Sequence, residues 1–255
     1  MTNRLHVEGF SVLVPTASSD HLAGRADVES PKLDLGLLDR TLRRGLSETT
    51  RLFVHTAQRA LQDAGAAASQ VHVVFASAFG EIATAELMLR QAFEENAASP
   101  ARFRQSVHNT APGLMSISTD NRLPSTAIAA GWNTVAMGLC EASAQLGDGA
   151  ERVLLVFADE QLPLALSDEH RYAPLGAAFV LCRQPPPKWR GALENLRRRP
   201  AGEAHASHAD PLTGNNPLGP ALLLVQALES GGRSTVSVGD GDSPWCIDVD
   251  ARKVA

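Results

Sequence analysis

Apolar and polar positions alternate along residues 5–14, through Leu5, Val7, Phe10, Val12 and Val14, and a period of two predicts a strand. A loop with Pro15, Gly24 and Pro31 follows. The period then lengthens to that of a helix. Ser47 is a suitable N-cap and Glu48 suits the first turn. Leu52, Val54, His55, Ala57, Ala60 and Leu61 supply apolar or semi-apolar positions, and Gly65 stands where a C-cap belongs. Residues 71–76 (VHVVFA) form an almost continuous apolar run and read as a buried, parallel strand. A second helix is expected over 81–97, with Ile82, Ala85, Leu89 and Phe93 close to one face. Ser99-Pro100 opens a short helix around 101–106.

Residues 124–130 read as a strand that turns directly into a helix over 132–147. Trp132, Val135, Ala136, Met137, Leu139, Cys140, Ala142, Ala144 and Leu146 surround nearly the whole of that helix, so burial on all sides is expected. Two further buried strands are expected at 152–158 and 176–182. After Pro185-Pro186-Pro187 the character changes. Residues 200–216 read as a loop, 218–228 as an apolar helix, and 234–238 and 245–249 as short closing strands. The order β-α-β-α-β-α-β-β predicts an α/β fold with a largely parallel sheet and right-handed crossovers. Residues 1–184 then form the main domain, and 185–255 a Pro/Gly-rich loop and extension packed on it.

Composition narrows the function classes. The chain has 255 residues, 23 basic and 28 acidic, a formal net charge of −5 and 44% hydrophobic residues. That is ordinary for a globular protein and argues against a nucleic-acid partner. Arg197-Arg198-Arg199 reads as a solvated surface run. Cys140, Cys182 and Cys246 are far apart with no CxxC pair, which speaks against a zinc site or redox dithiol. The odd count and the lack of a signal-peptide pattern suggest the cytoplasm. No segment approaches the ~20 apolar residues that span a bilayer.

Candidate chemistry is sparse. His108-Asn109 offers a site or interface residue, or a loop histidine satisfied by backbone. His205 and His208 lack a nearby carboxylate or cysteine at ligand spacing. Ser77-Ala78-Phe79-Gly80 is not GxSxG, since Phe75 stands where the first glycine belongs. Neither GxGxxG nor GxxxxGK[ST] occurs, so no nucleotide cofactor is expected. Asp159 and Glu160 end a strand, point to opposite faces, and suit a structural role better than an acid/base pair. Cys140 lies mid-helix in apolar surroundings that raise a thiol's pKa and leave it inert.

The most informative stretch is Ser106 to Gly131. A sharp strand-to-helix turn is where several enzyme folds display a nucleophile, and here the turn carries Ile128, Ala129 and Ala130. The segment SVHNTAPGLMSISTDNRLPSTAIAAGWNTVAMGLCEA resembles the region around the active-site cysteine of β-ketoacyl synthases. The stretch from Arg43-Arg44 to Gly65 is similar to their early helix, and RVLLVFADE to the strand after the buried helix. The likeness covers roughly residues 5–183. It points to the N-terminal-domain proteins that act as chain-length-factor-like subunits in aryl polyene and related polyketide-type pathways. It implies half of a thiolase-like fold. In ketosynthases the turn reads Ala-Cys-small-small-Gly, and aligning Gly131 with that glycine puts Ile128 at the nucleophile. The HGTGT-like and GFGGHN-like motifs that carry the family's histidines are missing. Claisen condensation by this chain alone therefore lacks both nucleophile and base.

The resemblance implies a non-catalytic partner of a catalytic ketosynthase, meeting an acyl carrier protein only indirectly, with no cofactor or metal. Leu114, Met115, Ile117 and Ile128 are the candidate acyl-tunnel or interface residues, or else fill the chain's own core. His108, Asn109, Thr110, Ser125, Thr126, Ala127 and Ala129 are the candidate dimer-interface residues, because the family's nucleophile strand pairs across the dimer. Two alternatives stand beside this. One is a stand-alone acyl-transfer or thioester-hydrolysing enzyme using His108 with Asp159 or Glu160. The other is a homodimeric binder of an acyl carrier protein or acyl chain.

Overall fold

The computed structural model describes residues 4–14, 32–97, 99–166, 172–199, 215–239 and 244–252. Eight strands form one sheet: β1 (Leu5–Leu13), β2 (His72–Ala76), β3 (Ser125–Ile128), β4 (Arg152–Asp159), β5 (Leu175–Cys182), β6 (Gly191–Arg198), β7 (Gly232–Ser237) and β8 (Trp245–Ala251). Their order is β3-β2-β4-β5-β1-β6-β8-β7. Six α-helices accompany them: α1 (Glu48–Ala64), α2 (Ile82–Glu94), α3 (Pro100–Ser106), α4 (Thr110–Thr119), α5 (Thr134–Gly147) and α6 (Gly219–Ser230).

The largely parallel sheet expected from the element order is not what forms. Only β2 pairs in parallel, with β3 and with β4, and the other neighbours are antiparallel. The reason is connectivity. Among the described residues no helix separates β4 from β5, and β5 returns beside it. β1, running the same way as β4, inserts on the far side of β5 and is antiparallel to it. β6, β8 and β7 then extend the sheet beyond β1.

Two cores flank the sheet. One joins α5 and α6 to residues such as Leu155, Phe157 and Phe179, and the other joins α1 and α4 to Phe75, Leu154 and Val156. β4 and β5 are buried almost throughout, as their unbroken apolar runs require. α1 has the expected caps. The Ser47 hydroxyl accepts from the Thr50 N–H at 3.0 Å. Gly65 adopts φ 63°, and the Ala66 N–H closes on the Leu61 carbonyl. α1 lies so close to β1 that a Cβ on Gly9 would come within 2.5 Å of the Ala64 nitrogen and 2.7 Å of the Ala60 oxygen. Both are backbone atoms, so Gly9→Ala is expected to cost about 1–3 kcal/mol, read as a lower urea midpoint at unchanged m-value.

α5 departs from the expectation of burial on all sides. Val135, Ala136, Gly138, Leu139, Ala142 and Leu146 are buried against the sheet. Met137, Cys140 and Glu141 are only half-buried, and Trp132 and Ala144 are exposed. β6 and α4 were not anticipated. Gly113 and the Ser and Thr residues of TAPGLMSIST disfavour a helix. Pro112 is tolerated because it falls in the first turn, where its missing N–H has no intrahelical partner anyway. Burial of Ala111 and Met115 beside α1 supplies what propensity does not. β6 absorbs two of the three consecutive arginines: Arg197 bonds Asp248 at 3.0 Å and Arg198 lies over the Trp245 ring. His205, His208 and most of the 200–216 loop lie outside the described residues. No helix among the described residues is long and apolar enough to cross a membrane.

Candidate functional site

The parallel strands β2, β3 and β4 end on one edge of the sheet, and the site-bearing residues gather there. A crevice outside the carboxyl ends of parallel strands is where α/β sheets place ligands. Ile128 ends β3, half-buried, with its side chain on the α5 side of the sheet. Ala129, Ala130 and Gly131 (φ 52°) carry the chain into α5, and the turn is held by Thr134, whose hydroxyl donates to the Gly131 carbonyl and accepts from the Ala130 N–H. The residue that leads into this turn is an isoleucine, its side chain packed against the core on the α5 side.

Behind it, Asp159 at the end of β4 is fully buried and holds the turn after β2. It accepts from the Ser77 hydroxyl, from the Ala78 N–H at 3.0 Å and from the Phe79 N–H at 3.4 Å. The Ser77 oxygen in turn accepts from the Gly80 N–H at 2.7 Å. Glu160 accepts from the Ala83 N–H in the first turn of α2 at 2.9 Å. Glu81, also buried, accepts from the Thr50 hydroxyl of α1 at 2.7 Å. The carboxylates thus sit where the N-termini of α1 and α2 meet, the end of a helix that favours negative charge. Burial still pushes Asp159 and Glu160 up to about 7, and raises Glu81. Buried Tyr172 is raised too, first by desolvation and then by the charges of Asp159 and Glu160.

His108 stands on this edge but apart from the acids. Its Nε2 lies 3.2 Å from the Ser77 carbonyl, to which it donates, and its ring packs against Phe75 at 5.3 Å. Desolvation lowers its pKa, so the imidazole is neutral near pH 7. Gly80, at φ 63°, makes room for it, since a Cβ there would approach the imidazole Cδ2 to 2.6 Å. Every hydrogen bond described for the Asp159 carboxylate goes to Ser77, Ala78 and Phe79, and none to His108.

The four apolar candidates do not share one cavity. Leu114 and Ile117 line a cleft of about 400 Å³ with Leu42 and Leu46, and Ile117 is 71% exposed. Met115 is 1% exposed and fills the core beside α1, and Ile128 faces the opposite core. His108, Asn109 and Thr110 lie at the start of α4, where Asn109 is exposed and Thr110 donates to the Val107 carbonyl. Cys140 sits half-buried on the outer side of α5, its thiol pushed up by desolvation.

β3 is an edge strand. Its internal bonds run from the Val73 N–H to the Pro124 carbonyl and from the Ser77 N–H to the Ile128 carbonyl. In a parallel ladder alternate residues turn both polar backbone groups to the same neighbour. Residues 124, 126 and 128 therefore face β2, and Ser125 and Ala127 turn their N–H and C=O to the open edge. The other edge strand, β7, exposes Arg233, Ser234 and Thr235, a polar edge of the kind that resists pairing. Beside the site, α2 and α3 pack on one another, and neither has a single buried residue. Sequence reasoning missed both this and the part played by Glu81 and Tyr172. Among the described residues no group of three or more His, Cys, Asp or Glu is placed to hold a metal ion.

Comparison with solved structures finds the same fold over nearly the full chain. A ketosynthase in complex with its chain length factor from Xenorhabdus doucetiae matches with a TM-score of 0.71 at 21% identity, covering 97% of this chain and 99% of the other. The ishigamide ketosynthase/chain length factor matches at 0.68 and 15%, covering 96% and 98%. A type II polyketide acyl-carrier protein in complex with its ketosynthase bound to the hexaketide matches at 0.72 and 11%, covering 99% and 100%. The fold is thus thiolase-like. None of the curated proteins matches by sequence. The β-ketoacyl synthase N-terminal domain matches residues 17–246, nearly the whole chain, and to that family the chain belongs.

Proposed function

We propose that this chain is a non-catalytic, chain-length-factor-like subunit that pairs with a catalytic β-ketoacyl synthase, stabilises it and shapes its acyl tunnel in polyketide-type or aryl polyene chain elongation. The observation that carries this reading is the isoleucine at the end of β3, where the resemblance puts the family's nucleophile. The strand, the turn and the helix are intact, and Ile128 has no atom able to attack a thioester. Two features support a partner. β3 offers a free edge of small residues, and the α2–α3 hairpin leaves Leu89, Phe93 and Phe103 in solvent. Short helices with no buried face are marginal in water and draw their stability from packing. Ser125, Thr126, Ala127 and Ala129 belong to the pairing strand and its end in this reading, with Ser125 and Ala127 turning their backbone groups to the partner. Ile128 and the Leu114–Ile117 cleft are the places where a partner's acyl chain would be walled.

The test is co-expression with a catalytic β-ketoacyl synthase from the same genome. A stable complex is expected, with elongation by the ketosynthase depending on it. Separate elution, with full elongation by the ketosynthase alone, would refute the reading. The alternative of a stand-alone acyl-transfer enzyme would instead show thioester turnover by the purified chain that His108→Ala abolishes.

A further inference from the structure

The outer end of α2 carries Phe93, Glu94 and Glu95 in a setting that its own chain does not explain. Phe93 is 86% exposed, and Leu89, one turn earlier on the same side, is 58% exposed. Isolated exposed apolar residues need no account, but here a whole 13-residue helix has no buried position. The charges are equally out of place. A helix C-terminus carries a partial negative charge and favours cations. The last turn of α2 holds no basic residue, ends on Glu94, and is capped by Glu95. Neither carboxylate has a described ion pair or hydrogen bond: the Arg90 guanidinium, one turn before Glu94, is bonded to Glu86 and attracts Glu94 only through space. Two acids, one of them balanced only through space by Arg90, and an aromatic ring are therefore held at the end of a helix that disfavours negative charge.

Resting on the partner reading above, we propose that Phe93-Glu94-Glu95 is a docking plug, and that its seat is an apolar socket with an arginine- or lysine-bearing rim on the ketosynthase subunit. The ring supplies the buried anchor and the acids select the rim. A neutral or acidic surface would leave two carboxylates desolvated against nothing, at the negative end of a helix, so the charge pattern specifies a basic seat. The aromatic anchor with charged surroundings also fits the way binding energy concentrates in a few interface residues. α2 is suited to this part because its first turn is fixed to the sheet through Glu160 and the Ala83 N–H, which leaves the far end as a rigid arm.

The experiment measures the dissociation constant of the full chain with its ketosynthase at low and high salt. The variants are Phe93→Ala, the double variant Glu94→Lys/Glu95→Lys, the remote charge reversal Glu151→Lys and the edge variant Ala127→Pro. Phe93→Ala and the double reversal are each expected to weaken the complex at least tenfold at low salt. The double reversal also flattens the salt dependence, and Glu151→Lys leaves both unchanged. The isolated double variant is expected to melt close to the parent, because lysines complement the end of a helix and offset the loss of the weak, exposed attraction between Glu94 and Arg90. Loss of affinity without loss of stability therefore marks docking and not misfolding. Wild-type affinity in both tip variants, while Ala127→Pro abolishes binding, would overturn the plug and leave the partner reading standing. Failure of the unaltered chain to bind any ketosynthase would overturn both.

Discussion

Asp159→Ala is expected to destabilise the fold by about 3 kcal/mol or more, the largest effect of a single side chain at this site. The carboxylate is the acceptor for the Ser77 hydroxyl and for the Ala78 and Phe79 N–H groups. Alanine leaves those donors at the end of β2 with no partner, and each buried unsatisfied group costs roughly 1–3 kcal/mol. Part of that is offset above neutral pH, because the wild type bears the cost of a buried charge there. The sign of the pH dependence follows. A carboxyl whose pKa is raised on folding contributes stability that is complete below its unfolded value, near 4, and is lost as pH rises through its folded value. For Asp159 and Glu160 that value is about 7. Wild-type stability should therefore fall from about pH 4 to about pH 7 and level off above, by roughly 4 kcal/mol for the Asp159 contribution. Asp159→Asn, neutral throughout, should show a flatter slope. Urea denaturation at a series of pH values measures both. Equal slopes in the two proteins would show that Asp159 titrates near its unfolded value.

Much of this arrangement was legible in the chain, and the gaps have physical causes. Continuous apolar runs marked β2, β4 and β5 because strands covered on both faces have no polar side to show. Ser47 and Gly65 marked the ends of α1 because capping is local chemistry. The turn at Ile128 was readable because a strand of small residues runs into an apolar helix, and the resemblance gave the position its meaning. Strand direction was not readable. Alternation of strands and helices says nothing about where β1 inserts, and its place between β5 and β6 makes most of the sheet antiparallel. α4 escaped because Gly113 and a run of Ser and Thr hide a helix that tertiary burial of Met115 sustains. The acid cluster escaped for the opposite reason. Asp159 and Glu160 follow one another in sequence, but Glu81 lies far from them along the chain and Tyr172 comes only just before β5. Only the meeting of the first turns of α1 and α2 shows why carboxylates collect there. The apolar face of α2 was correctly periodic, and periodicity predicted that it would be covered. It does not say by what, and among the described residues the covering is missing.

Ala127→Pro is expected to abolish pairing with a ketosynthase while leaving the fold intact, and the geometry of β3 separates those two outcomes. Ala127 turns its N–H to the open edge, so proline there removes a donor that only a partner strand would use. Edge positions of this kind tolerate proline, whose fixed φ is compatible with an extended edge. Thr126 is the internal comparison. Its backbone faces β2, so Thr126→Pro removes a bond within the sheet, and its hydroxyl also receives the Gln145 amide of α5 at 3.1 Å. Thr126→Pro should therefore lower the melting temperature, and Ala127→Pro should hold it near the parent value. In gel filtration with the ketosynthase, Ala127→Pro should elute as a separate chain. If it instead co-elutes with unchanged affinity, the subunits do not join through β3. The exposed hairpin of α2 and α3 would then have to carry the interface, and pairing of edge strands would be removed from the account of how this chain meets its partner.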